Sequence, residues 1–237
     1  MSPVFEPEQI DALMEEASQA LAHTAYFQAE RLARRGLLMA RDADDFGRMA
    51  RIILPLQEAR RQRLQQALDV GSVTIVQVPI EETTPIEPGC HLIQPPQVGA
   101  DARRLRLAAL EREIPVAVVC REPLTSLKLC PIVAISPGVT IRTKIDEPAD
   151  PAHPDLPWFV EAMEALGDFA ISSLDPALTT MKRIDALLNR LETIPDHEGL
   201  HQALEEACRQ ALQEQAEQEE GRRAGRGKRR SGSRANS

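Results

Sequence analysis

Apolar side chains recur every three or four positions through the first part of the chain, the spacing of an amphipathic helix. From Ile10 to Leu21 the repeating residues are large or small aliphatics, and from Ala25 to Ala33 they are alanines spaced four apart. The pattern predicts one long helix over residues 7–38. Its alanine stripe is expected to let a second helix approach closely.

A second amphipathic helix is predicted from Phe46 to Leu68, with Pro55 expected to kink it or split it. The two helices together resemble a tetratricopeptide-like hairpin over residues 20–52, and the resemblance implies an antiparallel pair. The residues that carry it are Ala25-Tyr26, Ala29, Gly36-Leu37, Ala40, Phe46 and Ala50. No second copy follows, as a solenoid would need, so an ordinary helical hairpin is the alternative.

The pattern changes at Gly71, where β-branched and continuous apolar runs replace the helical spacing. A strand (73–78), a proline-rich loop (79–99), a helix (101–113) and a second strand (115–120) predict a β-α-β unit with parallel strands. Two more strands (130–135 and 139–145) flank Ser136-Pro137-Gly138, which predicts a hairpin. The centre of the chain is therefore expected to form a small sheet of about four strands.

Prolines at positions 148, 151, 154 and 157 are spaced three apart, which favours a stiff polyproline II spacer. Three helical patterns follow it. The sequence thus predicts an α+β, mostly helical protein in five segments: a helical hairpin (1–70), a small α/β domain of β-α-β-β order (71–147), a proline-rich linker (148–157), a segment of three helices (158–220) and a disordered basic tail (221–237).

Charge is unevenly distributed along the chain. The formal net charge is −8, but residues 221–237 contribute +7, so residues 1–220 carry −15. Only 3% of the residues are aromatic, which argues against a base-stacking platform for single-stranded nucleic acid. The four cysteines are too scattered for a disulfide framework, and no signal peptide or membrane-spanning run is evident, so a cytoplasmic location is expected.

The segment His197-Glu198-Gly199-Leu200-His201 matches the H-E-x-x-H pattern of zinc hydrolases. Within a helix, His197 and His201 would share a face and bind one zinc ion, and Glu198 would act as general base. Pro195 instead places these residues at a helix start, Gly199 weakens the helix, and no third ligand is evident. We therefore expect Asp196 to be an N-cap and both histidines to be partly exposed.

A second candidate site lies at the edge of the predicted sheet. If the strands of the β-α-β unit are parallel, their carboxyl ends share the edge where ligands of open α/β sheets bind. Cys90, His91, Cys120 and Cys130 could then converge there as a structural zinc set. Buried cysteines of the core are the alternative, since no C-x-x-C pair is present.

The basic tail is a third candidate site, through phosphate contacts that need no sequence reading. Its basic residues before Ser231 are Arg222, Arg223, Arg226, Lys228, Arg229 and Arg230. The acidic remainder of the chain opposes such contacts at close range.

The sequence therefore predicts a non-catalytic protein that binds another protein through its helical surfaces. A zinc-dependent hydrolase is the first alternative and a nucleic-acid-associated adaptor the second. No cofactor other than possible zinc is indicated, and neither partner identity nor oligomeric state follows.

Overall fold

The computed structural model describes residues 7–81 and 83–232, with side chains described to residue 222. Within these residues, helices pack on both faces of a five-stranded mixed sheet, so the α+β, mostly helical class is confirmed. The elements in chain order are α1 (Pro7–Ala22), α2 (Tyr26–Asp42), α3 (Phe46–Leu68), β1 (Val73–Val76), β2 (Gly89–Ile93), α4 (Gly99–Glu111), β3 (Val116–Arg121), β4 (Leu129–Ser136), β5 (Val139–Asp146), α5 (Leu156–Ser172), α6 (Thr180–Thr193) and α7 (Glu198–Gly232).

The long helix predicted over residues 7–38 is in fact two helices, because the chain turns between α1 and α2. Thr24 has a φ of +56°, and the N–H of Ala25 donates to the carbonyl of Ala20 at 2.8 Å. The turn between α2 and α3 repeats this geometry, with a φ of +51° at Asp44. Helix ends of this kind usually carry glycine at the left-handed position, so a threonine there left no signal in the sequence.

Pro55 does not split α3, which continues to Leu68. Proline leaves the carbonyl of the residue four positions earlier, here Arg51, without its helical donor. Arg51 and Leu54 are both exposed, so this carbonyl lies on the solvent side of the helix, where the loss is least costly. The helix pair α2–α3 is antiparallel and close, since a Cβ on Gly36 would lie 3.5 Å from Ile52.

The sheet has the order β1-β2-β3-β4-β5, with one strand more than predicted. The additional strand is β2, which lies in the segment that its prolines predicted to be a loop. It pairs in parallel with both β1 and β3, and α4 connects β2 to β3. The β-α-β unit is therefore β2-α4-β3, and β1 joins the edge of the sheet through a connection without a helix.

The predicted hairpin is confirmed: β4 and β5 pair antiparallel from Ser136↔Val139 to Leu129↔Asp146. Gly138 has a φ of +77°, which completes a tight turn after Pro137. The helix α4 covers one face of the sheet, and the other face belongs to a core shared with helices from both ends of the chain. The domain boundaries stay a prediction, although this core runs through all three folded segments.

The proline-rich segment is folded against the sheet and is not an extended spacer. Asp150 accepts the N–H of Ala152 at 2.9 Å, which turns the chain, and Arg121 donates to the carbonyl of Pro151 at 2.7 Å. The next helix already begins at Leu156, with Asp155 as its N-cap. An aspartate before a proline competes successfully with polyproline geometry, because its side chain bonds the backbone two residues on.

The last helix, α7, packs antiparallel to α3 along its first half and then leaves the body of the protein. Its backbone is helical to Gly232, past the point at residue 221 where disorder was predicted. Alanine and arginine in that segment are strong helix formers, which offsets the cost of its glycines.

Candidate functional site

The His-Glu-Gly-Leu-His segment lies at the start of α7, and its first histidine caps the helix. The helix begins at Glu198, so His197 occupies the N-cap position. The Nδ1 atom of His197 accepts the N–H of Leu200 at 3.2 Å, which is the capping bond that Asp196 was predicted to supply. Because Nδ1 is an acceptor, the proton of the neutral ring is on Nε2.

His197 is 5% exposed, so the prediction of a partly exposed histidine is wrong. It is buried because α5 approaches its ring at a glycine: a Cβ on Gly167 would lie only 2.0 Å from Cγ of His197. The ring Nε2 points towards two exposed acids of α5, at 3.3 Å from Glu164 and 3.5 Å from Asp168.

His201 is also buried, with 1% of its surface exposed, and it is held as a neutral ring. Its Nδ1–H donates to the carbonyl of His197 at 3.0 Å, and its Nε2 accepts from Nη1 of Arg60 at 3.3 Å. Burial, and then the charge of Arg60, lower the pKa of His201 to about 3. The second histidine of the motif therefore serves as a hydrogen-bond acceptor for a buried arginine.

Arg60 belongs to a group of charges enclosed between α2, α3 and α7, which we call the buried charge cluster (Glu30, Arg60, Arg63 and His201). The Nε atom of Arg60 donates to Glu30 at 2.9 Å, and Nη1 of Arg63 contacts the other oxygen of the same carboxylate. The guanidinium of Arg63 also stacks 4.6 Å above the ring of Phe27. Two buried cations thus share one buried anion.

Burial lowers the pKa of Arg60 to about 10, against an opposing effect of the nearby Asp196 and Glu192 carboxylates. It also lowers the pKa of Arg63. A partly compensated positive charge in the interior is expensive unless each donor has an acceptor. Glu30 and His201 supply such acceptors to Arg60, so the cluster depends on a histidine that stays neutral, whereas Nε of Arg63 has no hydrogen-bond partner.

These contacts bear directly on the zinc hypothesis. Zinc would need the Nε2 lone pair of His201, which Arg60 already uses, and would place a dication beside a buried guanidinium. The candidate base Glu198 is exposed and accepts a hydrogen bond from Gln202 at 2.9 Å, on the surface of α7. The structure therefore does not bring the three motif residues together around a common point.

The cysteine set at the sheet edge does not converge either, which corrects the second prediction. Cys90 is the second residue of β2 and pairs with Ala117 of β3. Ala117 lies three residues before Cys120, a separation of about 10 Å along the strand. Cys90 and Cys130 belong to the core on one face of the sheet, and Cys120 to the core on the other. The error follows from the missed strand β2. Cys90 was expected in a loop at the carboxyl ends of the strands, but it lies near the amino end of β2.

His91 lies in β2 between the two cores, and its Nε2–H donates to the carbonyl of Glu87 at 2.9 Å. Burial lowers its pKa, and its Nδ1 has no hydrogen-bond partner. Burial raises the pKa of Cys90 to about 11 and that of Cys120 to about 12, as expected of core thiols. Within residues 7–81 and 83–232, no three His, Cys, Asp or Glu side chains are grouped closely enough to hold a metal ion.

A surface feature that the sequence did not indicate lies along the outer side of α2. Two cavities of about 290 and 270 Å³ flank Leu38, one towards Leu110 of α4 and one towards Leu188 of α6. We call this surface the α2 groove, defined by the residues Arg31, Arg34, Arg35, Leu38, Leu110 and Leu188. Leu38 is 49% exposed between the two cavities.

The α2 groove is lined by charges of both signs, since Asp42, Asp185 and Glu192 line its cavities beside the arginines of α2. Arg34 donates to both oxygens of Glu192 at 2.6 and 2.9 Å, and Arg31 donates to Glu113 at 2.6 Å. Arg35 is exposed. The feature of the sequence that could have indicated this groove is the pair Leu37-Leu38. A helical pattern alone does not show which of the two leucines faces outwards.

At the other end of α7, the helix separates from the body. Leu212 still lies near Gly47, and Gln215 makes a long hydrogen bond of 3.5 Å to the carbonyl of Asp44. Arg222 is exposed, and the side chains of the remaining basic tail residues lie outside the described residues.

Comparison with known proteins gives no relative: no protein family, curated protein or solved structure matches this chain. Among the helices that the structure describes, none has a stretch long and apolar enough to cross a bilayer.

Proposed function

We propose that this protein binds another protein, without catalysing a reaction, and that the partner docks in the α2 groove. The observation that carries the proposal is Leu38, a half-exposed leucine between two cavities of about 290 and 270 Å³. Apolar cavities next to an exposed aliphatic ridge are typical of surfaces that accept side chains of a partner.

The chemistry of the groove favours a partner with bulky aliphatic side chains. Leucines line both cavities, and Arg31, Arg34 and Arg35 follow each other on one side of α2. The Arg34–Glu192 pair is nearly half exposed on both sides, and such pairs contribute about 1 kcal/mol or less. A carboxylate of the partner can therefore replace Glu192 at small cost.

The zinc-hydrolase alternative is less well supported. It requires His201 and His197 to give up the hydrogen bonds to Arg60 and Leu200. It also requires Glu198 to leave the helix surface where Gln202 holds it. Protein binding at the α2 groove needs no rearrangement of the core.

The experiment compares two leucines of similar exposure on neighbouring helices. Leu38 lies in the groove, and Leu54 of α3, 57% exposed, lies outside it. Proteins retained from a lysate by the wild-type chain are identified, produced in pure form and titrated against wild type, Leu38→Glu and Leu54→Glu by calorimetry.

We expect Leu38→Glu to raise the Kd at least about tenfold, since a central apolar anchor contributes more than about 1.4 kcal/mol. Leu54→Glu should leave the Kd unchanged, and both variants should keep the wild-type Tm. Equal effects of the two substitutions, or failure to retain any protein that binds directly, would overturn the proposal.

A further inference from the structure

The strand β1 forms one edge of the sheet, and its outer side is unpaired. Within residues 7–81 and 83–232, β1 pairs only with β2. The N–H of Gln94 donates to the carbonyl of Val76 at 3.3 Å, so Val76 and, two residues earlier, Thr74 direct their backbone groups towards β2. The N–H and C=O groups of Val73 and Ile75 therefore point away from the sheet. Among the residues that the structure describes, none forms a hydrogen bond with them.

The two edges of the sheet differ in how they are protected. The opposite edge strand, β5, exposes Arg142, Lys144 and Asp146, and α5 packs against it. Charged side chains on an edge strand oppose pairing with a further strand. The segment 70–80, which contains β1, has no charged residue and no proline before Pro79. The edge at β1 is therefore open to an additional strand, whereas the edge at β5 is guarded.

Exposed side chains are arranged symmetrically about the middle of this segment. Thr74 is exposed, and four residues to either side of it lie Val70, 49% exposed, and Val78, 62% exposed. An antiparallel strand of the same sequence, centred on Thr74, would bring Val70 of one copy towards Val78 of the other at both ends. The outward-facing Val73 and Ile75 would face each other in the same register. The segment is therefore complementary to a second copy of itself.

We propose that two copies of this chain form a dimer by antiparallel pairing of their β1 strands, with both Thr74 residues at the twofold axis. Val73 of each copy then exchanges two N–H···O=C hydrogen bonds with Ile75 of the other. The two five-stranded sheets become one continuous sheet. A twofold interface uses the same surface on both copies, so assembly stops at the dimer, with a guarded β5 at each outer edge.

Charge does not oppose this register. The formal net charge of each chain is −8, but the uncharged segment 70–80 places no like charges opposite each other across the strand pair. The edge also shares no residue with the α2 groove, so the dimer is independent of the proposed binding of another protein.

The first experiment measures the oligomeric state of the full-length protein by sedimentation velocity. Because one strand pair is a small interface, concentrations from about 2 to about 200 μM are compared. We expect the wild type to shift from monomer to dimer with concentration. Thr74→Lys should raise the dimer Kd about fivefold or more, since it places two like charges together at the twofold axis. Thr140→Lys adds the same charge at an exposed threonine of β5 and should leave the Kd unchanged.

The second experiment tests the register with a disulfide between the two copies. Thr74 would form a non-hydrogen-bonded pair with its counterpart, with Cα atoms about 4.5 Å apart, a separation that a disulfide can span. Thr74→Cys should therefore form a covalent dimer under mild oxidation, and Thr140→Cys should stay monomeric. The native cysteines at positions 90, 120, 130 and 208 are all buried, so they do not compete.

A wild-type chain that is monomeric at every concentration would overturn the proposal. So would a dimer that Thr74→Lys and Thr140→Lys weaken equally, or equal crosslinking of the two cysteine variants, because either result would separate the dimer from β1. If Thr74→Cys crosslinks to a different protein from a lysate while the wild type stays monomeric, the edge belongs to a strand of that protein, and pairing between copies is wrong.

Discussion

The two halves of α7 both carry polar side chains of the kind that bind ligands, but these side chains are buried in the first half and exposed in the second as far as Arg222. The first half contains both histidines of the zinc-like motif, enclosed by α3 and α5. The second half contains basic residues of the chain end, and its residues from Gln215 to Arg222 are exposed. In the first half the ring nitrogens face partners within the fold, whereas the described side chain of Arg222 in the second half is exposed.

The difference shows how burial decides whether a polar group can act on a ligand. A histidine that caps a helix, or that accepts from a buried arginine, is already occupied by the fold. The two histidines of the segment with a named chemistry are therefore used by the fold itself.

The prediction with the largest expected effect removes the negative charge of Glu30, which Arg60 and Arg63 share in the buried charge cluster. Glu30→Gln keeps the shape of the side chain but leaves Arg60 and Arg63 without their counter-charge. Breaking a buried ion pair costs about 3–5 kcal/mol, so the free energy of unfolding in urea should fall by that amount.

The matched control is Glu192→Gln, which breaks a nearly half-exposed pair with Arg34 of the same helix α2. Its cost should be about 1 kcal/mol or less. A loss below about 1 kcal/mol for Glu30→Gln would mean that the cluster does not depend on its charges, and that its histidine could be released for another use.

The second prediction tests the close packing of α5 against His197, and it does so without changing any charge. In Gly167→Ala, the new Cβ would lie 2.0 Å from the ring of His197, so the ring must move and the cap of α7 is disturbed. We expect a loss of about 2–3 kcal/mol in the free energy of unfolding, from overpacking together with the lost cap.

Gly221→Ala in the projecting half is the control, since a Cβ there has nothing within 4 Å. It should leave the denaturant midpoint unchanged or slightly higher, because alanine favours helix over glycine. Equal destabilisation by both substitutions would show that the close approach of α5 does not hold His197.

The elements with strong periodicity were predictable, and those set by single backbone conformations were not. The helix α3, the strand β3 and the hairpin of β4 and β5 follow from apolar spacing and from Pro137-Gly138. The turn after α1 was missed because its left-handed residue is Thr24, for which a positive φ is unusual. The strand β2 was missed because its sequence of five residues lies between proline-rich segments, which are typical of loops.

The candidate sites were harder to predict, because they depend on contacts between distant parts of the chain. The helix start near His197 followed from Pro195, but its burial depends on Gly167, thirty residues earlier. His201 stays neutral because it is buried, and because it lies beside Arg60 from a distant part of the chain. No local pattern encodes either contact, nor the way Leu38 is left exposed between α4 and α6.

The smallest expected effect concerns the proton on His201. Its pKa is near the ordinary value of about 6.5 in the unfolded chain and about 3 in the folded protein. Above pH 6.5 the ring is neutral in both states. Below it the unfolded state binds a proton that the folded state rejects, so stability is lost as the pH falls, at up to about 1.4 kcal/mol per pH unit.

His201→Gln can still accept from Arg60 and donate to the carbonyl of His197, but it cannot titrate. Between pH 7.5 and pH 5, wild type should therefore lose about 2 kcal/mol more than the variant in urea unfolding. Parallel curves for wild type and His201→Gln would mean that His201 accepts a proton within the folded core, and that Arg60 does not occupy its Nε2 atom.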